Sequence, residues 1–292
     1  MIQKKIEIIL NLILQYFVRF NFNNKKTKFR DIHKNEFAYF FNDTISKEID
    51  IDGVYEKEEI SIISNIVNRN STIIDIGANI GNHSLAFSKF SKKIYSFEAH
   101  PKTFQVLKFN CSNIKKIKLY NIGISDKSGV LYFKNTKTDN IGGRKLNKFG
   151  DIRSKINKLD NIISPKKKID LIKLDVEGHE FQALIGMKKI IKNNKCFLFI
   201  EFCENNVLKR KKIINLLKNH GYTHAYFFKK EKKFSKKEYL NLLIDIIRIL
   251  FNSTSLKTKL TKIRINDLIH NRLKCNIIFS KIEINLTKMN NY

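Results

Sequence analysis

The chain has 292 residues, enough for one large α/β domain with additional segments, because a domain of this size buries most of its unfolded surface. A hydrophobic fraction of 42% and an aromatic fraction of 11% are ordinary for a globular protein and argue against disorder. The formal net charge of +29 would suit a nucleic acid or an anionic lipid surface. Lysine is spread over strands, helices and loops alike, however, and no RNA-binding motif accompanies it. We therefore attribute the charge to compositional bias and do not expect a nucleic-acid partner.

The cysteines indicate neither a zinc site nor a disulfide framework. There are four, far apart in the sequence and without a Cys-x-x-Cys spacing: Cys111, Cys196, Cys203 and Cys275. We expect a cytoplasmic protein that binds no metal.

The first 20 residues have a basic beginning and an apolar run that Glu7 and Asn11 interrupt. The run is short for a membrane span, and no small-residue cleavage site follows it. We predict an amphipathic helix that packs against the domain. The alternative is a helix that lies peripherally on a membrane surface.

Apolar periodicity predicts alternating helices and strands from residue 56 onward. The predicted elements are, in chain order, helix 56–70, strands 72–76 and 93–97, a helix from Pro101, strand 116–120, a hairpin arm at 130–133, a loop at 139–150, strand 170–174, helix 180–192, strand 196–200, helix 206–220, strand 225–228, helix 239–251 and strand 275–280. Strands separated by helices imply right-handed crossovers and a parallel sheet covered on both faces. A basic, helical insertion over about 229–271 interrupts this pattern before the last strand. Its helix would pack on the domain or, alternatively, cap the substrate or touch a membrane surface.

The most specific local pattern is STIIDIGANIGNHS at residues 71–84, an apolar strand that ends in a glycine-containing turn. Glycines at a strand-to-helix turn allow the backbone to approach a ligand and expose amides at the helix N-terminus. The spacing from Gly77 to Gly81 is G-x-N-x-G rather than the G-x-G-x-x-G of dinucleotide folds. Nicotinamide binding is therefore disfavoured.

Glu98 ends the second predicted strand of the sheet, 23 positions after Asp75. A carboxylate there can accept hydrogen bonds from both hydroxyls of a ribose. The alternative is a helix N-terminal acid preceding Pro101. Together with the glycine turn, the spacing favours ribose binding.

Lys173, Asp175 and Glu177 alternate at the carboxyl end of the fourth predicted strand, the edge that borders the ligand crevice in an open parallel sheet. Charged groups in a central strand are costly unless they are paired or functional. We predict a catalytic cluster; the alternative is an ion pair that only holds the strand end. Glu201 is a further candidate, whereas single histidines such as His83 and His179 are more often structural.

Five segments together resemble the FkbM-type family of S-adenosylmethionine-dependent methyltransferases. They are GVYEKEE (53–59), IIDIGANIGNHS (73–84), IYSFEAHP (94–101), NIGISDKSG (121–129) and DLIKLDVEGHEFQALIG (170–186). The resemblance covers roughly residues 50–230. It implies a Rossmann-like class I methyltransferase fold, an α/β fold with a seven-stranded, mostly parallel sheet whose last strand is antiparallel. The domain would span 51–292, after an N-terminal helical extension over 1–50.

The resemblance also implies roles for individual residues. The methionine part of S-adenosylmethionine would be surrounded by Asp75, Gly77, Asn79 and Gly81. Its ribose would lie at Glu98 and its adenine near Ser125 and Asp126. Lys173, Asp175 and Glu177 match the Lys-x-Asp-x-Glu-Gly segment of the family. His100 and the basic insertion depart from the family pattern.

The family implies O-methylation of a hydroxyl on a sugar, a glycan or another small molecule. Two other functions stay open at this point: methylation of an RNA 2′-hydroxyl, and a degenerate fold that only binds a partner. Loops typical of adenine amino-group methylation need consecutive prolines, whereas the chain has only Pro101 and Pro165.

Overall fold

The computed structural model describes residues 27–32, 35–40, 49, 54–134, 143–231, 257–270 and 275–289. The strands are β1 (Thr27–Ile32), β2 (Asn35–Phe40), β3 (Thr72–Ile76), β4 (Lys93–Phe97), β5 (Ile117–Tyr120), β6 (Gly123–Ile124), β7 (Gly129–Phe133), β8 (Leu146–Asn147), β9 (Ile152–Asn157), β10 (Leu171–Leu174), β11 (Phe197–Phe202), β12 (His224–Glu231), β13 (Lys257–Ile263) and β14 (Cys275–Ser280).

The helices are α1 (Lys57–Ile66), α2 (Asn82–Ser88), α3 (Pro101–Cys111), α4 (Leu159–Ile162), α5 (Glu180–Gly186), α6 (Lys188–Asn193), α7 (Val207–Asn219) and α8 (Leu286–Met289), with a 3₁₀ helix at Ile265–Ile269. The single helix predicted over 180–192 is thus two helices that meet at Met187, whose φ of −120° is not helical. None of the helices in the described part of the chain is both long and apolar enough to cross a membrane.

Within the described residues, the main sheet has eight strands in the order β13-β12-β14-β11-β10-β3-β4-β5. The neighbours from β11 to β5 pair in parallel, and β14 lies antiparallel between β11 and β12. The predicted α/β class and the antiparallel last strand are confirmed. The predicted count of seven strands is wrong, because β13 adds an eighth.

Strand β13 lies in the stretch predicted as a basic, helical insertion and pairs antiparallel with β12, from Ala225 opposite Ile263 to Glu231 opposite Lys257. Its sequence KTKLTKI carries little apolar character, and Leu260 is its only buried hydrophobic residue. An edge strand needs less burial than a central one, so hydrophobic periodicity did not indicate it.

The main sheet is covered on both faces, as its alternating side chains require. Ile73 and Leu171 belong to one buried cluster, whereas their neighbours Ile74 and Ile172 belong to the other. Each parallel strand therefore contributes to two hydrophobic layers.

Strands β1 and β2 form an antiparallel hairpin inside the segment predicted as a helical extension. The backbone N–H of Ala38 donates to Asn110 Oδ1 over 2.8 Å, and Asn110 Nδ2 donates to the Ala38 carbonyl over 2.9 Å. The helical prediction is therefore wrong for residues 27–32 and 35–40, which form strands, and the Asn110 side chain of α3 binds the edge of the second strand. The helices predicted within residues 1–20 and 239–251 lie outside the described residues.

A second sheet has the order β6-β9-β7-β8 within the described residues. Of its strands only β7 was predicted, as the arm at 130–133, and β8 lies in the predicted loop 139–150. Gly186 of α5 fixes the position of this sheet, because a Cβ there would lie 1.9 Å from the carbonyl oxygen of Ser125.

The buried face of α7 gives a direct test of the packing. We expect Leu217→Ala to lower the free energy of unfolding by about 2–5 kcal/mol, since Leu217 is fully buried and its truncation leaves a cavity. Leu208→Ala is the matched control on the same helix, because Leu208 is 70% exposed and should change stability by less than about 0.5 kcal/mol. Urea unfolding measures both values, and equal losses would contradict the assigned face of α7.

Candidate active site

A cavity of about 210 Å³ lies where the carboxyl ends of β3, β4, β10 and β11 meet. Residues of the second sheet, including Phe133 and Leu146, line its other side. This is the crevice in which open parallel sheets bind ligands. The sheet order therefore brings the glycine turn, Glu98 and the charged end of β10 to a single cavity.

Gly77 and Asn79 form the wall of the cavity next to β3. The backbone N–H groups of Gly77 and Ala78 both donate to the carbonyl of Phe97 over 2.9 Å. Gly77 has a φ of +78°, and a Cβ there would lie 1.6 Å from the Asp175 carbonyl oxygen. Glycine is thus required because the turn passes directly against the end of β10.

Asp75 and Gly81 lie behind this wall and do not line the cavity. Asp75 is fully buried and accepts a hydrogen bond from Ser84 Oγ over 2.6 Å. Gly81 starts α2 with a φ of +98°, and a Cβ there would lie 2.7 Å from Cys111 Sγ. Both residues shape the turn through packing.

Glu98 lines the cavity, and its carboxylate is fixed by two backbone amides. Oε1 accepts from the N–H of His100 over 2.7 Å, and Oε2 accepts from the N–H of Asn79 over 2.9 Å. Burial raises the pKa of Glu98 to about 7, against the effect of these two amides. Each carboxylate oxygen keeps a further lone pair, so the group can still accept hydrogen bonds from two hydroxyls.

Ser125 and Asp126 lie one layer behind the cavity, whose wall is formed there by Ile124. Ser125 is buried; its Oγ donates to Asp126 Oδ1 over 3.0 Å and lies 2.9 Å from His179 Nε2. Burial lowers the pKa of His179. This arrangement connects the second sheet to the start of α5 and gives His179 a structural partner.

Lys173 and Asp175 form an ion pair at the carboxyl end of β10. Lys173 is 3% exposed, and its Nζ lies 3.0 Å from Asp175 Oδ2 and 3.8 Å from Asp75 Oδ1. Burial disfavours the ammonium, but Asp175, Asp75 and Glu56 outweigh it and raise the pKa of Lys173. Burial likewise acts against ionised Asp175, and the Lys173 ammonium lowers its pKa below the usual range.

Asp175, Glu177 and Glu201 have carboxylate oxygens within 4.8 Å of one another, and all three residues are partly buried. Burial and the charge of Asp175 raise the pKa of Glu177 to about 7 and that of Glu201 to about 8. Oxygens this close can share protons or surround a cation, and the Lys173 ammonium beside Asp175 disfavours a cation by charge repulsion. The expected absence of a metal stays a prediction.

The backbone at Glu177 directs its side chain to the cavity. Glu177 has a φ of +52°, in the left-handed region, and Gly178 follows with a φ of +90°. Non-glycine residues in this region are uncommon, and such strain often accompanies function. The left-handed turn after β10 therefore places the Glu177 carboxylate in the wall of the cavity, a position that a regular helix start would not give it.

Arg144 is a cavity residue that the sequence did not indicate. Its Nη1 lies 3.1 Å from His100 Nε2, and burial together with the Arg144 charge lowers the pKa of His100 to about 4. Its buried Nε has no hydrogen-bond partner in the described part of the chain. A ligand in the cavity can therefore supply the acceptor that this donor lacks.

The methyltransferase FkbM domain matches residues 75–223 of the chain. Hexuronic acid methyltransferase AglP of Haloferax volcanii is 26% identical over 141 residues, which are 47% of this chain and 59% of that protein. The 2-O-methyltransferase NoeI of Sinorhizobium fredii is 25% identical over 183 residues, 53% of this chain and 74% of that protein. The chain thus spans less than two thirds of the first of these relatives.

A solved structure described as methyltransferase FkbM from Methylobacillus flagellatus KT is 14% identical, with a TM-score of 0.43 over 73% of this chain and 44% of that one. The family match covers just over half of the sequence and includes the glycine turn, Glu98 and the cluster at the end of β10. The resemblance seen in the sequence is therefore confirmed, and the chain belongs to the FkbM family of S-adenosylmethionine-dependent methyltransferases.

Proposed function

We propose that the chain transfers the methyl group of S-adenosylmethionine to a hydroxyl of a sugar, a glycan or another small metabolite. The observation that carries this proposal is the single cavity that joins Glu98 and the glycine turn to the carboxylates of β10 and β11. The names of the two relatives support a sugar hydroxyl, since one acts on hexuronic acid and the other is a 2-O-methyltransferase.

The residues on the β3 and β4 side fit the cofactor. Glu98 presents two carboxylate oxygens that backbone amides already orient, which suits the paired hydroxyls of a ribose. The backbone at Gly77 and Asn79 leaves space for the methionine part, and the Nε of Arg144 offers a donor. Asp75 and Gly81 would act by shaping the turn, and Ser125 and Asp126 by fixing the wall near the adenine.

S-adenosylmethionine supplies a methyl group on a positively charged sulfur, which leaves as a neutral thioether. The protein must orient the acceptor oxygen toward that carbon and receive the hydroxyl proton. Glu177 is the proton acceptor in our proposal, because its pKa of about 7 suits a base at neutral pH. Lys173 keeps Asp175 ionised, and Asp175 pairs with the protonated carboxyl of Glu201.

Some expectations from the sequence remain proposals. We propose that residues 51–292 act as one domain. Peripheral membrane contact would involve the helices predicted at 1–20 and 239–251, which lie outside the described residues.

Cofactor identity is the first test of the proposed function. Calorimetric titration should show micromolar binding of S-adenosylmethionine and none of NAD, because the turn lacks the G-x-G-x-x-G spacing. Binding of NAD alone would remove the proposal, and binding of neither compound would favour a fold that only binds a partner.

Glu98→Ala should weaken S-adenosylmethionine binding at least tenfold, about 1.4 kcal/mol, since the ribose hydroxyls lose a carboxylate acceptor. The same calorimetry measures it. Glu58→Ala is the control, because Glu58 is an exposed residue of α1 and should leave the affinity unchanged. Equal affinities for the two variants would place the ribose elsewhere.

Asp175→Asn and Glu177→Gln should each lower kcat by at least tenfold while changing the dissociation constant of S-adenosylmethionine by less than threefold. The reason is that Glu177 receives the acceptor proton and the charge of Asp175 helps to set the pKa of Glu177, whereas neither carboxylate binds the ribose. Transfer of a labelled methyl group measures kcat. Unchanged turnover in both variants would show that the catalytic assignment is wrong.

The dependence of the rate on pH follows from the same assignment. A base acts when it is deprotonated, so kcat/KM should rise with pH through about 7, the pKa of Glu177. The interacting carboxylates titrate as a group, so the midpoint belongs to the cluster. With S-adenosylmethionine saturating, so that the titration of Glu98 does not contribute, Glu177→Gln should remove this rise, and a rise that persists in the variant would exclude Glu177 as the base.

A further inference from the structure

A second cavity, of about 260 Å³, opens beside the active-site cavity. The two cavities share three lining residues: Leu146, Glu177 and Glu201. A molecule in the second cavity would therefore lie next to the carboxylates that we propose to receive a proton. We name this second space the acceptor cavity.

Strand β8 and the residue pair before it separate the two cavities. Arg144 lines the active-site cavity, whereas the next residue, Lys145, lines the acceptor cavity. A Cβ on Gly178 would lie 3.9 Å from Lys145 Nζ, so this lysine lies across the turn that carries Glu177. Residues 144–147 thus lie at the boundary between the two cavities.

Acidic residues dominate the acceptor cavity, although the chain has a net charge of +29. The acidic lining residues are Glu177, Glu180, Glu201 and Glu204, against the basic residues Lys145 and Lys209. Lys209 Nζ is already paired with Glu204 Oε2 over 3.3 Å. The charge of Lys145 only partly offsets the effects that raise the pKa of Glu177. The low pKa of His179, which also lines the cavity, keeps this residue neutral.

A further negative charge would be unfavourable in this cavity. The carboxyls of Glu177 and Glu201 have raised pKa values because burial and neighbouring carboxylates oppose their ionisation. A ligand carboxylate or phosphate would add to that repulsion. Uncharged hydroxyls can instead bond to the carboxylates and to the side chains of Asn147 and Asn205.

We propose that the acceptor cavity binds the methyl acceptor and selects an uncharged or amine-bearing polyhydroxylated molecule over a carboxylate- or phosphate-bearing one. This inference rests on the proposed methyltransferase function and defines its substrate class. The chain would then differ in substrate from the relative that is named for hexuronic acid, a carboxylate-bearing sugar. It also disfavours RNA, whose phosphates would have to approach the same carboxylates.

Three sugars of one shape test the charge selection: methyl β-glucoside, its 2-amino analogue and methyl β-glucuronide. Labelled methyl transfer at pH 7.5 should give a kcat/KM for the glucoside or the amino sugar at least tenfold above that for the glucuronide. Equal or better use of the glucuronide would overturn the proposal, as would no transfer to any of the three. S-adenosylmethionine titration on the same sample shows separately whether the proposed function holds.

The location of the site is tested by filling the cavity. Asn205→Trp should raise KM for the accepted sugar at least fivefold and leave S-adenosylmethionine affinity unchanged, since Asn205 is exposed and lines the acceptor cavity but not the active-site cavity. Asn215→Trp is the matched control, because Asn215 is exposed on α7 and lines a separate surface depression. Equal KM values for the two variants would place the acceptor elsewhere.

Discussion

The buried ammonium of Lys173 is the constraint on which the site depends. It lies in the middle of the main sheet, where its residue pairs with Asp75 on β3 and with Phe199 on β11. An ammonium with 3% exposure is tolerated only because Asp175 and Asp75 surround it. Removing one partner of such a buried pair typically costs about 3–5 kcal/mol. The charges at the end of β10 therefore stabilise one another and are positioned by the same strands that form the core.

Ionised Asp175 has consequences on both sides of the active site. Burial, and then the charge of Asp175, raise the pKa of Glu177 to about 7 and that of Glu201 to about 8. The carbonyl of Asp175 also requires glycine at position 77, because no Cβ fits between them. The carboxylate cluster and the glycine turn on the two sides of the cavity are thus linked through Asp175.

Much of this arrangement could be predicted from the sequence because it depends on local patterns. The bounds of β3, β4 and β14 are those predicted, since apolar runs between turn residues define buried strands. The glycine turn and Glu98 could be assigned to one crevice because carboxyl ends of parallel strands share an edge. Lys173, Asp175 and Glu177 were indicated by the cost of charge in a central strand.

Other features depend on contacts between distant segments, which periodicity does not contain. Gly81 belongs to the family motif, yet its position behind the wall follows from packing against Cys111, 30 residues along the chain. Arg144 reaches the cavity only because the second sheet folds over it. Strand β13 was missed because alternating lysines and threonines masked a strand with one buried Leu260. The sequence therefore indicates the charged and glycine residues at the strand ends better than the segments that cover the cavity.

The proposed chemistry requires that Lys173 keeps Asp175 ionised while Glu177 titrates near neutral pH. Carbon-13 NMR titration of the aspartate and glutamate carboxyls tests it directly, with Asp175→Asn and Glu177→Gln assigning the signals. We expect Asp175 to stay ionised at pH values below the usual pKa of an aspartate, and Glu177 to titrate near pH 7. Titration of Asp175 and Glu177 at ordinary carboxyl values, near 4, would contradict it.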